Sequence, residues 1–310
     1  MYSSKQNYKK SGQILAKALN YAESLTKPGE KLVTIAEKIE DFIRMQSAQP
    51  AFPVNISINE IAAHYSPTIK DESTVPDKSI VKIDAGVSVN GYLTDAARTF
   101  VFDEKWEHMK QVAQQAFEEA VRDIRPNSNV YKVGTIIEQV IKKAGFKPIV
   151  NLSGHSLYQY SLHGGLSIPN YKVPKNARNE SHVFETGNAY AIEPFVTTGI
   201  GKVTDENYET IYRQHRSFKE DSIPEGVKKI YKYIKEHFHM LPFSWRWIDN
   251  AGFPLNEIEI AKKQLLNEQI IHGYPVLVEV KKAPVTQFEE TIFVDKKEIL
   301  IITRKKGEKN

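Results

Sequence analysis

The 310-residue chain contains no cysteine. A disulfide framework and a thiolate metal site are therefore excluded, and any metal has to be held by His, Asp or Glu. No apolar run approaches the roughly 18–20 residues that span a bilayer. The opening MYSSKQNYKKSGQIL lacks the apolar core of a signal peptide, so the expected location is the cytoplasm, without a membrane partner. Neither sign of charge dominates: 42 Lys and Arg stand against 38 Asp and Glu, for a net +4. The charges are interspersed, so no specific nucleic-acid partner is expected. There is no P-loop, no H-E-x-x-H and no G-x-S-x-G, and no low-complexity segment or internal repeat. What is present, 41% hydrophobic and 26% charged residues, is a globular profile with enough chain for a sizeable core.

Helical spacing of Ile14, Leu15, Ala18, Leu19 and Ala22 predicts a helix over residues 5–24, broken by Lys27-Pro28-Gly29. A second helix is predicted from Thr34, capped with Glu37, to Gln46. Residues 51–58 alternate as a strand, and 80–101 read as two strands about Asn90-Gly91, a strong hairpin signal. Helices follow over 104–125, stopped by Pro126, and over 131–144. Residues 147–195 are strand and loop. Residues 204–272 turn polar and helical, with patterns at 225–238 and 256–267 and a capping box of Ser222 and Glu225, Pro224 lying in the first turn. Strands return over 274–303. An inserted helical subdomain at 204–272 is thus expected to interrupt one body formed by 1–203 and 273–310.

The hairpin carries the first chemical signal. A two-residue Asn90-Gly91 loop sets Asp95 opposite Gly86 and so places Asp84 on the same face as Asp95. As diagonal neighbours their Cβ atoms are expected roughly 7–8 Å apart. Gly86 is expected to leave the space between them empty, too wide for a hydrogen-bonded pair and suited to cations. An exposed face would also explain two aspartates in strands. Glu193 in AYAIEPF and Glu289 or Glu290 in QFEET lie in segments that read as buried, where a carboxylate needs a cation or a proton. Alternation cannot choose between the adjacent pair. His64, His155 and His163 fall in Gly-, Ser- or Pro-marked turns and offer neutral imidazole nitrogens. The other six histidines read as ordinary surface or core residues. One imidazole with four carboxylates matches the charge of two divalent cations, the arrangement of two-metal hydrolysis.

At this point KIDAG, YLTDAART, LSGHSL, AIEPF and QFEET, in that order, resemble the ordered ligand motifs of the methionine aminopeptidases. The resemblance covers nearly the whole chain. It implies an α+β pita-bread fold, a curved antiparallel sheet flanked by helices. It also implies the type 2, archaeal-like kind, because the insert with SWRWID and the segment AFPVNISINEIAAHYSP are similar to theirs. The insert is then winged-helix-like. The long charged N-terminal extension of the eukaryotic enzymes is not seen.

By this resemblance the metal ligands are Asp84, Asp95, His155, Glu193 and Glu289. Asp95 and Glu289 would bridge two divalent ions (Co, Mn, Fe, Zn or Ni), Asp84 would hold one, and His155 and Glu193 the other. The implied reaction is hydrolytic removal of the initiator methionine from nascent polypeptide N-termini, mainly before a small second residue, by a hydroxide shared between the metals. Glu193 would shuttle the proton, His163 would stabilise the tetrahedral species or contact substrate, and His64 would face the scissile amide. Phe52, Leu162 and Tyr274 would line the methionine pocket, with Ile211 where some relatives have histidine. A monomer is expected, with contact to the ribosome left open. Two other readings fit parts of the pattern: a proline-specific peptidase of the same fold, and a non-catalytic pita-bread protein that binds RNA, ribosomes or partners.

Overall fold

The computed structural model describes residues 3–215 and 224–304. Two helices, α1 (Ser4–Leu25) and α2 (Leu32–Met45), lead into the short strands β1 (Gln49–Pro50), β2 (Asn55–Ile58) and β3 (Ile61–Ala63). The long hairpin β4 (Ile80–Val89) and β5 (Tyr92–Val101) follows, then α3 (Glu107–Arg122) and α4 (Tyr131–Lys143). Next come β6 (Lys147–Pro148), β7 (Ser153–Leu157), β8 (Ser167–Pro169), β9 (Ala189–Ile192), β10 (Phe195–Thr197) and β11 (Val203–Gln214). Helices α5 (Glu225–Phe238), α6 (Trp245–Asn250) and α7 (Leu255–Asn267) precede β12 (Ile271–Glu279), β13 (Val285–Gln287), β14 (Glu290–Val294) and β15 (Ile299–Ile301). Every strand pairing is antiparallel, in the orders β1-β4-β2 with β5 on β4, β13-β10-β6, β11-β12-β3 and β15-β14-β9-β7-β8. This is the α+β, pita-bread arrangement.

The hairpin forms in the expected register, Gly86 opposite Asp95. Asn90 and Gly91 take φ values of 53° and 81°, the left-handed pair that a type I′ turn needs. Strand alternation then sorts β4 into two faces. Val81, Ile83, Ala85 and Val87 pack with Leu15, Leu19, Ile35 and Ile39 of α1 and α2. Asp84 and Gly86 face the other way. The other half of the sheet repeats this logic: Tyr190, Ile192 and Ile292 pack with Phe117 and Ile137 of α3 and α4. Each helix pair therefore covers the back of one half-sheet, and the front is left for polar residues. Helices α5–α7 gather a cluster of their own, with Ile230, Phe243 and Ile258 around Tyr212 of β11. Among the described residues no helix is long and apolar enough to cross a membrane.

Several local expectations differ. Helix α2 starts at Leu32 with no side-chain cap, because Leu32 N–H bonds the Ser73 carbonyl and Lys31 bridges Thr74. The strand expected over 51–58 is interrupted: the chain bends at Ala51-Phe52 between two prolines, and pairing with β4 resumes at Asn55. The third helix opens as a 3-10 turn, Glu104–Trp106, and ends at Arg122, since a residue before proline disfavours the helical region. The box partner Ser222 lies outside the described residues, and Pro224 is the residue before the first turn of α5.

Candidate active site

Each candidate metal ligand is placed by a strand or a strand junction. Asp84 and Asp95 come from the front face of the β4–β5 hairpin. His155 lies within β7, not in a turn; Gly154 beside it permits close approach to β9, since a Cβ there would stand 2.3 Å from the Ala191 carbonyl oxygen. Glu193 occupies the break between β9 and β10, and Glu289 the break between β13 and β14. Reciprocal 3.2 Å backbone bonds with Ala97 tie Glu289 to β5.

These five residues line one cavity of about 360 Å³, as do His64, His163, Phe52, Leu162 and Tyr274. The cavity therefore brings together every residue singled out in the sequence. Ile211 lines it too. Ligating atoms of Asp95, His155 and Glu289 fall within 4.8 Å of one another. His155 Nε2 is 3.6 Å from Asp95 Oδ2 and 3.7 Å from Glu193 Oε1. Glu289 and Glu290 separate as alternation requires. Glu290 turns away from the cavity, accepting from Arg98 at 2.7 Å and from Thr303.

One expectation about the hairpin is corrected. The space over Gly86 is not empty: the Phe52 ring occupies it, its Cε1 2.4 Å from where a Gly86 Cβ would stand. Asp84 and Asp95 line the same cavity, as their shared face requires.

Electrostatically the cluster is incomplete. Burial first, and then the charge of Asp95, raises the Asp84 carboxyl well above the usual range. Burial followed by the neighbouring carboxylates does the same to Glu193 and Glu289. Burial also pushes Asp95 up to about 7. The oxygens Asp84 Oδ1, Asp95 Oδ1 and Glu289 Oε1 are buried without a hydrogen-bond partner. Buried acceptors of this kind call for cations or protons. The donor set of carboxylate oxygens and one imidazole suits a divalent metal of the transition series. Burial keeps the imidazoles neutral: His155 falls to about 4, and His163 to about 3 with help from the charges of His155, His64 and Arg213. His64 is likewise lowered by burial. Its Nδ1 lies 3.2 Å from the Pro275 carbonyl, so Nδ1 carries the proton and Nε2 is an acceptor.

Sequence reasoning passed over the supporting residues. Gln287 Nε2 donates to Glu289 Oε2 at 3.0 Å, and its side chain also contacts Asp84. Thr291 Oγ1 donates to the Asp95 carbonyl at 2.7 Å and accepts from its N–H at 2.8 Å. Both stand in the quoted QFEET, two residues either side of Glu289. Asn55 pairs with Asp84 across β2–β4, and its buried Oδ1 is unpartnered.

Known proteins match this chain closely. Residues 6–228 match metallopeptidase family M24. A methionine aminopeptidase of Pyrococcus abyssi is 39% identical over 292 residues, spanning 94% of this chain and 97% of that protein. One from Saccharolobus solfataricus is 36% identical, spanning 94% and 95%. Among solved structures, a thermophilic Arx1 superposes with a TM-score of 0.83 at 19% identity, over 98% of this chain and 91% of that one. The methionine aminopeptidase of Thermotoga maritima superposes with a TM-score of 0.68 at 20% identity, over 97% and 96%. At such identities the structural likeness speaks of fold alone.

Proposed function

The chain belongs to metallopeptidase family M24, among the archaeal-like type 2 methionine aminopeptidases, and from that membership we propose how its own residues carry the reaction. The enzyme is a hydrolase that removes the N-terminal methionine from polypeptides and binds divalent metal. In our reading Asp84, Asp95, His155, Glu193 and Glu289 would hold two ions. The observation that carries this is the set of three partnerless buried carboxylate oxygens in one cavity with a neutral His155. Bound there, two divalent ions supply an activated water and polarise the carbonyl of the first peptide bond.

The chain's own groups do the rest. Glu193 borders the ligand cluster from the β9–β10 junction; it takes a proton from the attacking water and passes it to the leaving amine. His163, kept neutral by burial, donates to the developing tetrahedral oxygen. His64, with Nδ1–H tied to Pro275, turns an acceptor Nε2 to the scissile N–H. Phe52, Leu162, Tyr274 and Ile211 form an apolar pocket that an unbranched thioether can fill. By kinship with the methionine aminopeptidases, we propose a preference for a small second residue.

We read 204–272 as a winged-helix-like insertion into the catalytic body of 1–203 and 273–310, since α5–α7 build a separate apolar cluster. We place the enzyme in the cytoplasm, acting as a monomer on nascent chains near the ribosome. Comparison of Met-Ala and X-Pro peptides in the presence of divalent metal tests the assignment. Free methionine should be released from the first and little product from the second; preferential X-Pro cleavage would overturn it.

A further inference from the structure

The β11–β12 ribbon has two unlike faces. Its register pairs Ile211 with Tyr274, Arg213 with His272 and Gln214 with Ile271. Side-chain alternation puts Ile211, Arg213, His215, His272 and Tyr274 on one face. The opposite face is covered: Tyr212 packs into the helical cluster, and Glu209 lies over Gly273, its Cγ 2.4 Å from a Cβ built there. Ile211 and Tyr274 line the substrate cavity. From there the first face leads outward to Arg213 and His272, both half-buried, and then to exposed His215. A step of two residues along a strand covers about 7 Å.

Arg213 is held in place without being neutralised. Its Nε donates to His272 Nε2 at 3.0 Å. Its guanidinium carbon lies 5.8 Å from the centre of the Tyr274 ring, and the His215 and His272 rings meet edge to face at 5.2 Å. Among the described residues no carboxylate forms an ion pair with Arg213, and neither terminal guanidinium nitrogen has a hydrogen-bond partner. The half-buried or buried arginines Arg98, Arg246 and Arg304 each have a carboxylate partner. Its charge reaches the cavity, where it acts on Tyr274 and, after burial and the two neighbouring histidines, on His163. A fork of guanidinium donors, pre-oriented by its own Nε bond, matches a carboxylate bidentately.

We propose that Arg213, steadied by His272 and flanked by His215, forms an acid-selective extension of the substrate cleft, recognising a carboxylate side chain downstream of the scissile bond in the polypeptide substrate. This rests on the aminopeptidase reading and deepens it: the methionine pocket reads the first residue, and the ribbon reads acidity beyond the second. An extended peptide advances at the same pitch as the strand, which puts the reading position at about the third to fifth residue.

The test uses the full-length, metal-loaded enzyme and Met-Ala peptides carrying a single Glu or Lys at the third, fourth or fifth residue, or far down the peptide as a control. The Glu peptide should be favoured in kcat/KM by roughly 3–10-fold at one or more of the near positions, mainly through KM. The far pair should be cleaved alike. The preference should shrink as salt rises. It should collapse in Arg213→Met and persist in part in Arg213→Lys. Salt titration of the wild type keeps the test valid if a variant misfolds. Equal cleavage of every Glu and Lys pair, or a preference untouched by Arg213→Met, would overturn the subsite and leave the aminopeptidase assignment standing. Failure to release methionine from any peptide would overturn that assignment, and the subsite with it.

Discussion

The Phe52 ring stands where a side chain on Gly86 would stand, 2.4 Å from an ideal Gly86 Cβ. Gly86 is opposite Asp95 and two residues from Asp84, so one missing methyl group seats a wall of the substrate cavity beside two candidate ligands. Gly86→Ala should push the ring aside. We expect kcat/KM for Met-Ala peptides to fall by about 10–100-fold, while metal content measured by elemental analysis stays near the wild type. Unchanged kinetics would mean that the ring position does not shape the pocket.

The two buried histidines are 4.6 Å apart, ring centre to ring centre, yet they should fail differently. His155→Ala removes a donor from the carboxylate cluster and should lower metal affinity by more than the roughly 10–100-fold that outer-shell changes cause. His163→Ala should lower turnover by about 100–1000-fold with metal affinity nearly intact. Calorimetric metal titration beside steady-state kinetics separates them; equal loss of metal in both variants would contradict the division of roles.

Much of this was legible in the sequence. Asn90-Gly91 specified a two-residue turn, and period-two alternation then fixed which carboxylates share a face. The resemblance of five short motifs supplied His155, Glu193 and the choice of Glu289, which spacing alone left open. What could not be read came from contacts between distant segments. Phe52 fills the Gly86 space from another strand, and Lys31 is drawn out of the helical start by Thr74. Strand β11 was hidden by its composition: in VTDENYETIYRQ exposed residues run consecutively in the first half, buried ones in the second, and the register shifts near Glu209, so it shows little alternation. Gln287 and Thr291 stood inside a quoted motif, but their service to Glu289 and Asp95 depends on side-chain direction.

Glu40 and Arg246 form the joint between α2 and the helical insert. Both are almost fully buried, with Arg246 donating to Glu40 at 2.8 and 2.9 Å and Trp247 Nε1 adding a bond of 2.7 Å. Glu40→Ala leaves a buried guanidinium without its carboxylate. It should destabilise the fold by about 3–5 kcal/mol, visible as a lower urea midpoint. A change of only a few tenths would show that water or another group compensates.

The raised carboxyls make metal binding a proton-releasing event. Asp84, Glu193 and Glu289 are held well above the ordinary range by burial and one another's charge, and Asp95 is pushed to about 7 by burial. In the metal-free protein each binds more protons folded than unfolded. Their contribution to stability is therefore complete below the ordinary carboxylate range and is lost as pH rises through the raised values. His155 and His163, lowered to about 4 and about 3 by burial, run the opposite way but are neutral in both states above about pH 7. Lys82, lowered to about 7 by burial, also opposes the trend, yet it is common to the chelated and loaded proteins. The rise in unfolding midpoint on adding divalent metal should therefore grow as pH rises through about 7. A pH-independent metal effect would contradict it.

The most direct test strips the enzyme with chelator, restores one divalent metal stepwise and follows release of free methionine from a Met-Ala-Ser peptide. The account predicts no release from the stripped protein and full activity at two equivalents per chain, with Glu289→Ala unable to recover. Release that ignores the chelator, or none with any metal, would contradict it.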